Sequence, residues 1–139
     1  RSAPSVFVDA AHNPHGATAL ANALAEEFDF RRLVGVVGVL GDKDAEGLLE
    51  ALEPVLDHVV ITNNGSPRAL ETETLAEIAR AVFGEDRVTV EPFLPDAVET
   101  AIGLAEESDG QPVAGSGVVI TGSVVTAGAA RSLFGKEPS

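Results

Sequence analysis

The fold class is decided by one stretch near the start of the chain, which reads Val6-Phe7-Val8-Asp9-Ala10-Ala11-His12-Asn13-Pro14-His15-Gly16. A β-branched and aromatic run followed by an acid, small residues and Asn-Pro is typical of a buried strand that leads into a helix. Asn13 suits the N-cap because its side chain accepts from a free amide of the first turn, and Pro14 suits the first helical position, where no amide hydrogen is needed. We therefore predict a helix N-terminus at the carboxyl end of a strand, where open α/β sheets bind anionic ligands.

Asp9 and His12 stand at this junction and are candidates for ligand binding. A carboxylate at the end of a strand accepts hydrogen bonds from ribose hydroxyls or from a polar substrate, and an imidazole donates to a carboxylate or a phosphate. The alternative is that Asp9 is a turn former and His12 a hydrogen-bonded surface group. These residues alone leave both interpretations open.

The rest of the chain repeats the alternation of strand and helix. Short runs rich in Val, Ile and Leu, separated by helical patterns, favour parallel strands that are buried on both faces. We expect an α/β fold with an open, doubly wound and mostly parallel sheet of five to six strands, helices on both faces, and residues 33–40 as the central strand. The predicted strands are 5–9, 33–40, 59–62, 88–91 and 118–121, and the predicted helices are 14–28, 45–52, 73–83, 96–107 and one opened by Gly122-Ser123.

Several local features carry more specific expectations. Thr74-Leu75-Ala76-Glu77 resembles a capping box at a helix start. His58 is predicted to be a surface residue before a strand, and residues 63–67 and 108–117 are predicted to be surface loops. Gly35 and Gly38 are predicted to allow helices to approach the sheet closely.

Length and composition exclude several classes of protein. The 139 residues are the length of one domain, and the chain contains no Cys, Met, Trp or Tyr. A net charge of -13, with only nine Lys and Arg, argues against nucleic-acid binding. No apolar run is long enough to span a bilayer, so we expect no membrane contact and a cytoplasmic location. The lack of Met and the early first strand favour a fragment of a longer protein.

Other candidate sites have ordinary explanations beside the functional ones. His12 and His15, together with Asp9, are too few and too common a set to predict a metal site. Ser123 ends a strand and is typical of an N-cap, although its hydroxyl and the neighbouring amides are able to hold a carboxylate. Asp42-Lys43-Asp44 is either a charged turn or a clamp for an anion. The chain contains no G-x-x-x-x-G-K-[ST] loop and no G-x-G-x-x-G fingerprint.

Four motifs carry a resemblance to a known family. Asp9-Ala10-Ala11-His12-Asn13-Pro14 resembles the D-x-A-H-N-P motif of the folylpolyglutamate and dihydrofolate synthases, members of the Mur ligase superfamily. The resemblance continues in the same order along nearly the whole chain, at Gly41-Asp42-Lys43-Asp44, Ser66-Pro67-Arg68-Ala69 and Ile120-Thr121-Gly122-Ser123. It implies that residues 1–139 are a Rossmann-like, C-terminal glutamate-ligase domain, separated from an N-terminal P-loop ATPase domain of the same parent chain.

The resemblance also implies an activity and roles for individual residues. Enzymes of this family use ATP to join glutamate to dihydropteroate or a folate through an acyl-phosphate intermediate. By matching positions, Asp9 would contact the nucleotide, His12 and Ser123 would hold glutamate, and Lys43 is a further candidate for a glutamate carboxylate. ATP phosphates and Mg²⁺ would be bound mainly by the N-terminal domain, so no catalytic or metal-binding residue is assigned here. Motif and loop-shaping roles are implied for Asn13, Pro14, Gly41, Asp42 and Arg68.

Two alternatives to a folate ligase stay open. The first is the corresponding domain of another Mur-type amide ligase, such as a cell-wall amino-acid ligase. His12 in the D-x-A-H-N-P form favours the folate branch over it. The second is a non-catalytic nucleotide-binding module, against which the abrupt start of the chain counts.

Overall fold

The structure is a computed structural model that describes residues 5–27, 32–106 and 115–135. Strands and helices alternate along these ranges, as the sequence predicts. The strands are β1 (Ser5–Val8), β2 (Arg32–Val37), β3 (His58–Asn63), β4 (Val88–Phe93) and β5 (Ser116–Thr121). The helices are α1 (Pro14–Glu27), α2 (Ala45–Leu52), α3 (Thr72–Phe83), α4 (Leu94–Glu106) and α5 (Val124–Gly135).

The strands form one sheet in the order β1-β5-β2-β3-β4, and each neighbouring pair is parallel. The predicted α/β class, the parallel sheet and the central place of β2 are therefore confirmed. β5, the last strand in sequence, lies between β1 and β2, which the sequence does not reveal. The first, fifth and second strand–helix junctions consequently lie side by side at the carboxyl edge.

Each face of the sheet is covered by its own set of helices. Successive strand residues point to opposite faces, so β2 supplies both cores. One face packs against α1, α2 and α3, and its core includes Leu24, Val37, Leu48, Ile61, Leu75, Phe83 and Val119. The other packs against α4 and α5, and its core includes Val34, Val36, Val60, Leu94, Val98, Val118 and Ala130. No helix in the described ranges has the length and apolar character needed to cross a membrane.

Two of the local predictions about helices and glycines are wrong. α3 begins at Thr72, and Glu71 precedes it without a side-chain capping bond, so Thr74 lies inside the first turn instead of capping it. A Cβ at Gly35 would meet the side chain of Leu56, in the segment after α2, and one at Gly38 would meet the backbone of Thr62 in β3. These glycines therefore make room for a loop side chain and a neighbouring strand, not for helices.

The loop predictions are also corrected in part. Asn63 ends β3, and Ser116 and Gly117 belong to the buried strand β5 instead of a surface loop. Residues 107–114, like Phe28 at the predicted end of the first helix, lie outside the described residues. The predicted strand 33–40 ends at Val37, although Leu40 forms an isolated antiparallel bridge with Ala69.

His58 is not the surface residue that its sequence position predicts. It lies in β3, pairs with Val34 of β2, and its Nε2 is 2.7 Å from the hydroxyl of Thr89. Burial lowers the pKa of this imidazole below its usual 6.5, and the positive charges of Arg32 and Arg87 lower it further. The folded protein therefore favours neutral His58.

We expect this imidazole to make stability depend on pH. Its contribution is fully present above the unfolded pKa of 6.5 and is lost as the pH falls below that value, because the unfolded chain then binds more protons. His58→Gln should therefore lose less unfolding free energy than the wild type between about pH 7.5 and about pH 5.5. Urea denaturation measures the difference, with exposed His15→Gln as the control. Equal losses for wild type and His58→Gln would contradict the assignment.

Candidate functional site

The three junctions that carry the sequence motifs lie together at the carboxyl edge of the sheet. β1 and β2 both pair with β5, and their connecting backbones are joined beyond the strands. The amide of Gly122 donates to the carbonyl of Ala11 at 3.1 Å, and the amide of Gly38 donates to the carbonyl of Thr121 at 3.3 Å. The segments that follow β1, β5 and β2 are thus one continuous surface.

This edge has the geometry of a ligand crevice. α1 follows β1 onto one face of the sheet, whereas α5 follows the adjacent strand β5 onto the opposite face. Neighbouring strands whose helices leave in opposite directions open a crevice at their carboxyl ends, and open α/β sheets bind ligands there. The N-termini of both helices flank this crevice and contribute partial positive charge.

Asp9 stands at the mouth of the crevice, partly buried, directly after β1. Its amide donates to the carbonyl of Ile120 at 2.9 Å, which fixes the residue beside β5. Its Oδ2 accepts from the amide of Ala11 at 2.8 Å, so the turn-forming interpretation is correct for that oxygen. No hydrogen bond from the described residues engages Oδ1, which is therefore the atom that a ligand hydroxyl would reach.

His12 is exposed beside Asp9 and is held by the loop that precedes α1. Its Nδ1 lies 3.2 Å from the carbonyl of Ala10, so Nδ1 carries the proton in that contact, and Nε2 is the nitrogen for a ligand. The loop itself is rigid at its end, because Asn13 accepts from the amide of Gly16 at 2.7 Å and Pro14 opens α1. The N-cap prediction for Asn13 is confirmed.

Ser123 occupies the predicted junction but is not available to a ligand in this structure. The residue is fully buried. Its hydroxyl oxygen accepts from the amide of Thr126 at 2.9 Å, which confirms the N-cap interpretation for α5. In this structure the Ser123 hydroxyl is the cap of α5, and the contact with glutamate that the resemblance implies stays a prediction.

The second junction is a charged turn. Arg68 forms an exposed ion pair with Asp42 at 3.3 Å, and its carbonyl accepts from the amide of Gly41 at 2.8 Å. Asp44 caps α2 by accepting from the amide of Gly47 at 2.9 Å. Lys43 is partly exposed between these acids, and within the described ranges its side chain forms no ion pair. Lys43 is thus the cation of this turn that is open to an anionic ligand.

Two residues at this edge were not predicted as site residues from the sequence. Asn64 and Thr126 are buried, and both form hydrogen bonds with Ser123. Asn64 belongs to a stretch that reads as a plain surface loop, and Thr126 lies inside a helical pattern. The weak signal was a second asparagine directly after a strand end, at the edge where ligands bind.

The edge fits a nucleotide only in part. The carboxylate of Asp9 is suited to ribose hydroxyls, since a carboxylate only accepts hydrogen bonds. Within the described residues no group of three His, Cys, Asp or Glu side chains is arranged to hold a metal ion. These described residues do not form a complete metal site by themselves, and the sequence contains no G-x-x-x-x-G-K-[ST] loop for the phosphates.

Comparison with known proteins agrees with this geometry. The family model described as Mur ligase, glutamate ligase domain matches residues 1–117. The chain belongs to this family. A curated relative, the dihydrofolate synthase/folylpolyglutamate synthase of Mycobacterium tuberculosis, is 61% identical over 99% of this chain. The match spans 30% of that relative and is its C-terminal part.

The solved structures that resemble this chain include folylpolyglutamate synthases. The M. tuberculosis folylpolyglutamate synthase complexed with ADP and AMPPCP superposes with a TM-score of 0.92 at 61% identity, covering 100% of this chain and 31% of that one. A bifunctional folylpolyglutamate synthase/dihydrofolate synthase with Mn, AMPPNP and L-glutamate bound superposes with a TM-score of 0.76 at 28% identity. The match covers 95% of this chain and 29% of that one. The resemblance to the folylpolyglutamate and dihydrofolate synthases that the four motifs indicate is confirmed.

A cell-wall ligase resembles this chain less closely than the M. tuberculosis relative does. The UDP-N-acetylmuramoyl-L-alanyl-D-glutamate–2,6-diaminopimelate ligase of Prochlorococcus marinus strain NATL2A is 31% identical over 82% of this chain and 23% of its own length. Its identity is half that of the M. tuberculosis relative. The comparisons therefore agree with the preference for the folate branch that His12 indicates.

Proposed function

We propose that this domain is the glutamate-positioning part of an ATP-dependent ligase that adds L-glutamate to dihydropteroate, to a reduced folate, or to both. The observation that carries the proposal is the joining of the first, fifth and second junctions at one carboxyl edge, with Asp9, His12 and Lys43 on it. The relative solved with AMPPNP and L-glutamate bound supports both ligands. A cytoplasmic location belongs to the same proposal.

In the proposed reaction this domain binds and orients glutamate and the nucleotide. Glutamate is a dicarboxylate nucleophile, so it needs local positive charge in a chain of net charge -13. His12 would bind one carboxylate through Nε2, and Lys43 and the helix N-termini are positive groups at the same edge. Asp9 accepts from the ribose of ATP. ATP supplies the phosphoryl group that activates the pteridine-bearing acid as an acyl phosphate.

The N-terminal domain of the same parent chain completes the site in this proposal. It would bind the ATP phosphates, Mg²⁺ and the acceptor, because the sequence has no G-x-x-x-x-G-K-[ST] loop and the described residues form no group of three metal-binding side chains. Closure of the two domains would exclude water, which otherwise hydrolyses an acyl phosphate. The exposed position of His12 at the edge agrees with a site that a second domain must cover.

A second candidate is a cell-wall amino-acid ligase of the same family. The observation in its favour is the 31% identity to the diaminopimelate ligase of P. marinus. In both candidates the carboxyl edge of this domain would hold the incoming amino acid. The two candidates differ in the acceptor of the amino acid, so an assay with pteridine acceptors and a UDP-muramoyl peptide distinguishes them.

A ligation assay on the full-length protein tests the proposal. We expect ADP release that depends on both L-glutamate and either dihydropteroate or tetrahydrofolate, and none with a UDP-muramoyl peptide. The 139-residue chain alone should release no ADP under the same conditions, because its sequence contains no G-x-x-x-x-G-K-[ST] loop to hold the ATP phosphates. Ligation of diaminopimelate to the muramoyl acceptor would instead establish the second candidate.

A further inference from the structure

A buried group of polar atoms holds three of the connecting segments together. Asn64, which follows β3, donates from Nδ2 to the hydroxyls of Ser123 at 3.3 Å and Thr126 at 3.1 Å. The Thr126 hydroxyl donates to the carbonyl of Gly38, after β2, at 2.5 Å. We call these three side chains and the Gly38 carbonyl the Asn64 cluster.

Every polar hydrogen in the Asn64 cluster has an acceptor. The Ser123 hydroxyl donates to the Thr126 hydroxyl at 3.1 Å, and Asn64 uses both hydrogens of its amide nitrogen. The amide oxygen of Asn64 accepts from the amide of Ser66 at 3.0 Å. Since Ser123 and Thr126 are fully buried and Asn64 nearly so, loss of one member leaves buried partners unsatisfied.

The Asn64 cluster fixes the position of the β5–α5 turn. Thr126 holds the start of α5 against β2, and Asn64 holds it against the segment after β3. The same turn reaches β1 through the bond from Gly122 to Ala11, one residue before His12. A displacement of this turn is therefore transmitted to the His12 loop and to the first amides of α5.

We propose that Asn64 and Thr126 are positioning residues for glutamate binding. They do not touch the substrate; they hold the β5–α5 turn and the His12 loop at the spacing that glutamate requires. The Asp9 carboxylate also contacts Ala11, but the Asp9 backbone has its own bond to Ile120 in β5, so the nucleotide contact depends less on the Asn64 cluster. This inference rests on the proposed function.

Steady-state kinetics of the full-length enzyme test the inference. Thr126→Val removes the central hydroxyl with little change of shape, and Asn64→Asp removes the two donated hydrogen bonds. For each variant we expect the KM for L-glutamate to rise at least about tenfold, with the KM for ATP changed less than about twofold, because one charge-assisted contact of glutamate is misplaced. Thr126→Ser keeps the hydroxyl and should restore the glutamate KM.

Thr62→Val is the matched control. Thr62 is fully buried near Gly38 at the same edge, and its hydroxyl has no hydrogen-bond partner in the described part of the chain. This variant should leave both KM values unchanged. Thermal unfolding of every variant shows whether it is folded at the assay temperature, and if Thr126→Val is not, Asn64→Asp decides.

The outcomes separate this inference from the proposed function. Ligation by the wild type with an unchanged glutamate KM in a folded Thr126→Val or Asn64→Asp would overturn the positioning role alone. Equal increases of both KM values would also overturn it, because they indicate a general loss of structure. A wild-type enzyme that ligates no glutamate would overturn the proposed function itself.

Discussion

Gly122→Ala should lower the free energy of unfolding by about 3 kcal/mol or more. Gly122 has a φ of 124°, a conformation that residues with a Cβ rarely adopt. An added Cβ would also collide with the carbonyl oxygen of Gly38 and lie 2.9 Å from its carbonyl carbon, and its three nearest neighbours are all backbone atoms of Gly38. Backbone atoms cannot move to another rotamer as a side chain does, so β5 and β2 would have to separate. Urea denaturation of the 139-residue chain measures the loss.

Gly128→Ala is the matched control for this substitution. Gly128 is exposed within α5, and a Cβ there has no neighbour within 4 Å. The change should raise the free energy of unfolding by about 0.5–1 kcal/mol, because alanine loses less conformational freedom in a helix than glycine does. If Gly122→Ala instead unfolded at the same urea concentration as the wild type, the close contact between the β5–α5 turn and β2 would be refuted.

His12→Ala should raise the KM for L-glutamate about 10- to 100-fold in the full-length enzyme and the KM for ATP much less. The expected size is that of one hydrogen bond to a charged carboxylate, about 1.5–3 kcal/mol. The selectivity is expected because His12 presents Nε2 at the edge, whereas the nucleotide contact is proposed for Asp9. Initial-rate measurements at varied glutamate and varied ATP give the two constants.

His15→Ala is the control for His12→Ala. His15 is also an exposed imidazole, in the first turn of α1, and it has no role in the proposed site. Its removal should leave both constants within about twofold of the wild type. Equal increases in the glutamate and ATP constants for His12→Ala would count against the assignment of His12 to glutamate.

The local features of the chain were predictable because short-range patterns determine them. Asn13 is an N-cap in the structure because Asn-Pro favours that geometry wherever it follows a strand. The start of α3 was predicted within one residue, but the capping box at Thr74 was wrong, because tertiary contacts fix the first turn. Leu70 donates to the carbonyl of Val39 at 2.9 Å, and the fully buried Leu75 anchors the first turn, so α3 begins before Thr74.

The interior of the site could not be predicted from the sequence. Ser123 was identified as a helix cap, but its burial depends on Asn64, which is 59 residues away along the chain. That contact exists because β5 inserts between β1 and β2, and strand order leaves no mark on local composition. For the same reason Asn64 resembles a loop residue in the sequence, although it is buried and joins the segment after β3 to the β5–α5 turn.

The central claim is that glutamate binds where β1 and β5 end. A crystal structure of the full-length enzyme with L-glutamate and a non-hydrolysable ATP analogue tests it most directly. We expect a glutamate carboxylate within hydrogen-bond distance of Nε2 of His12, and the ribose of the analogue at the Asp9 carboxylate. Glutamate bound away from this edge, with His12 facing solvent, would contradict the claim.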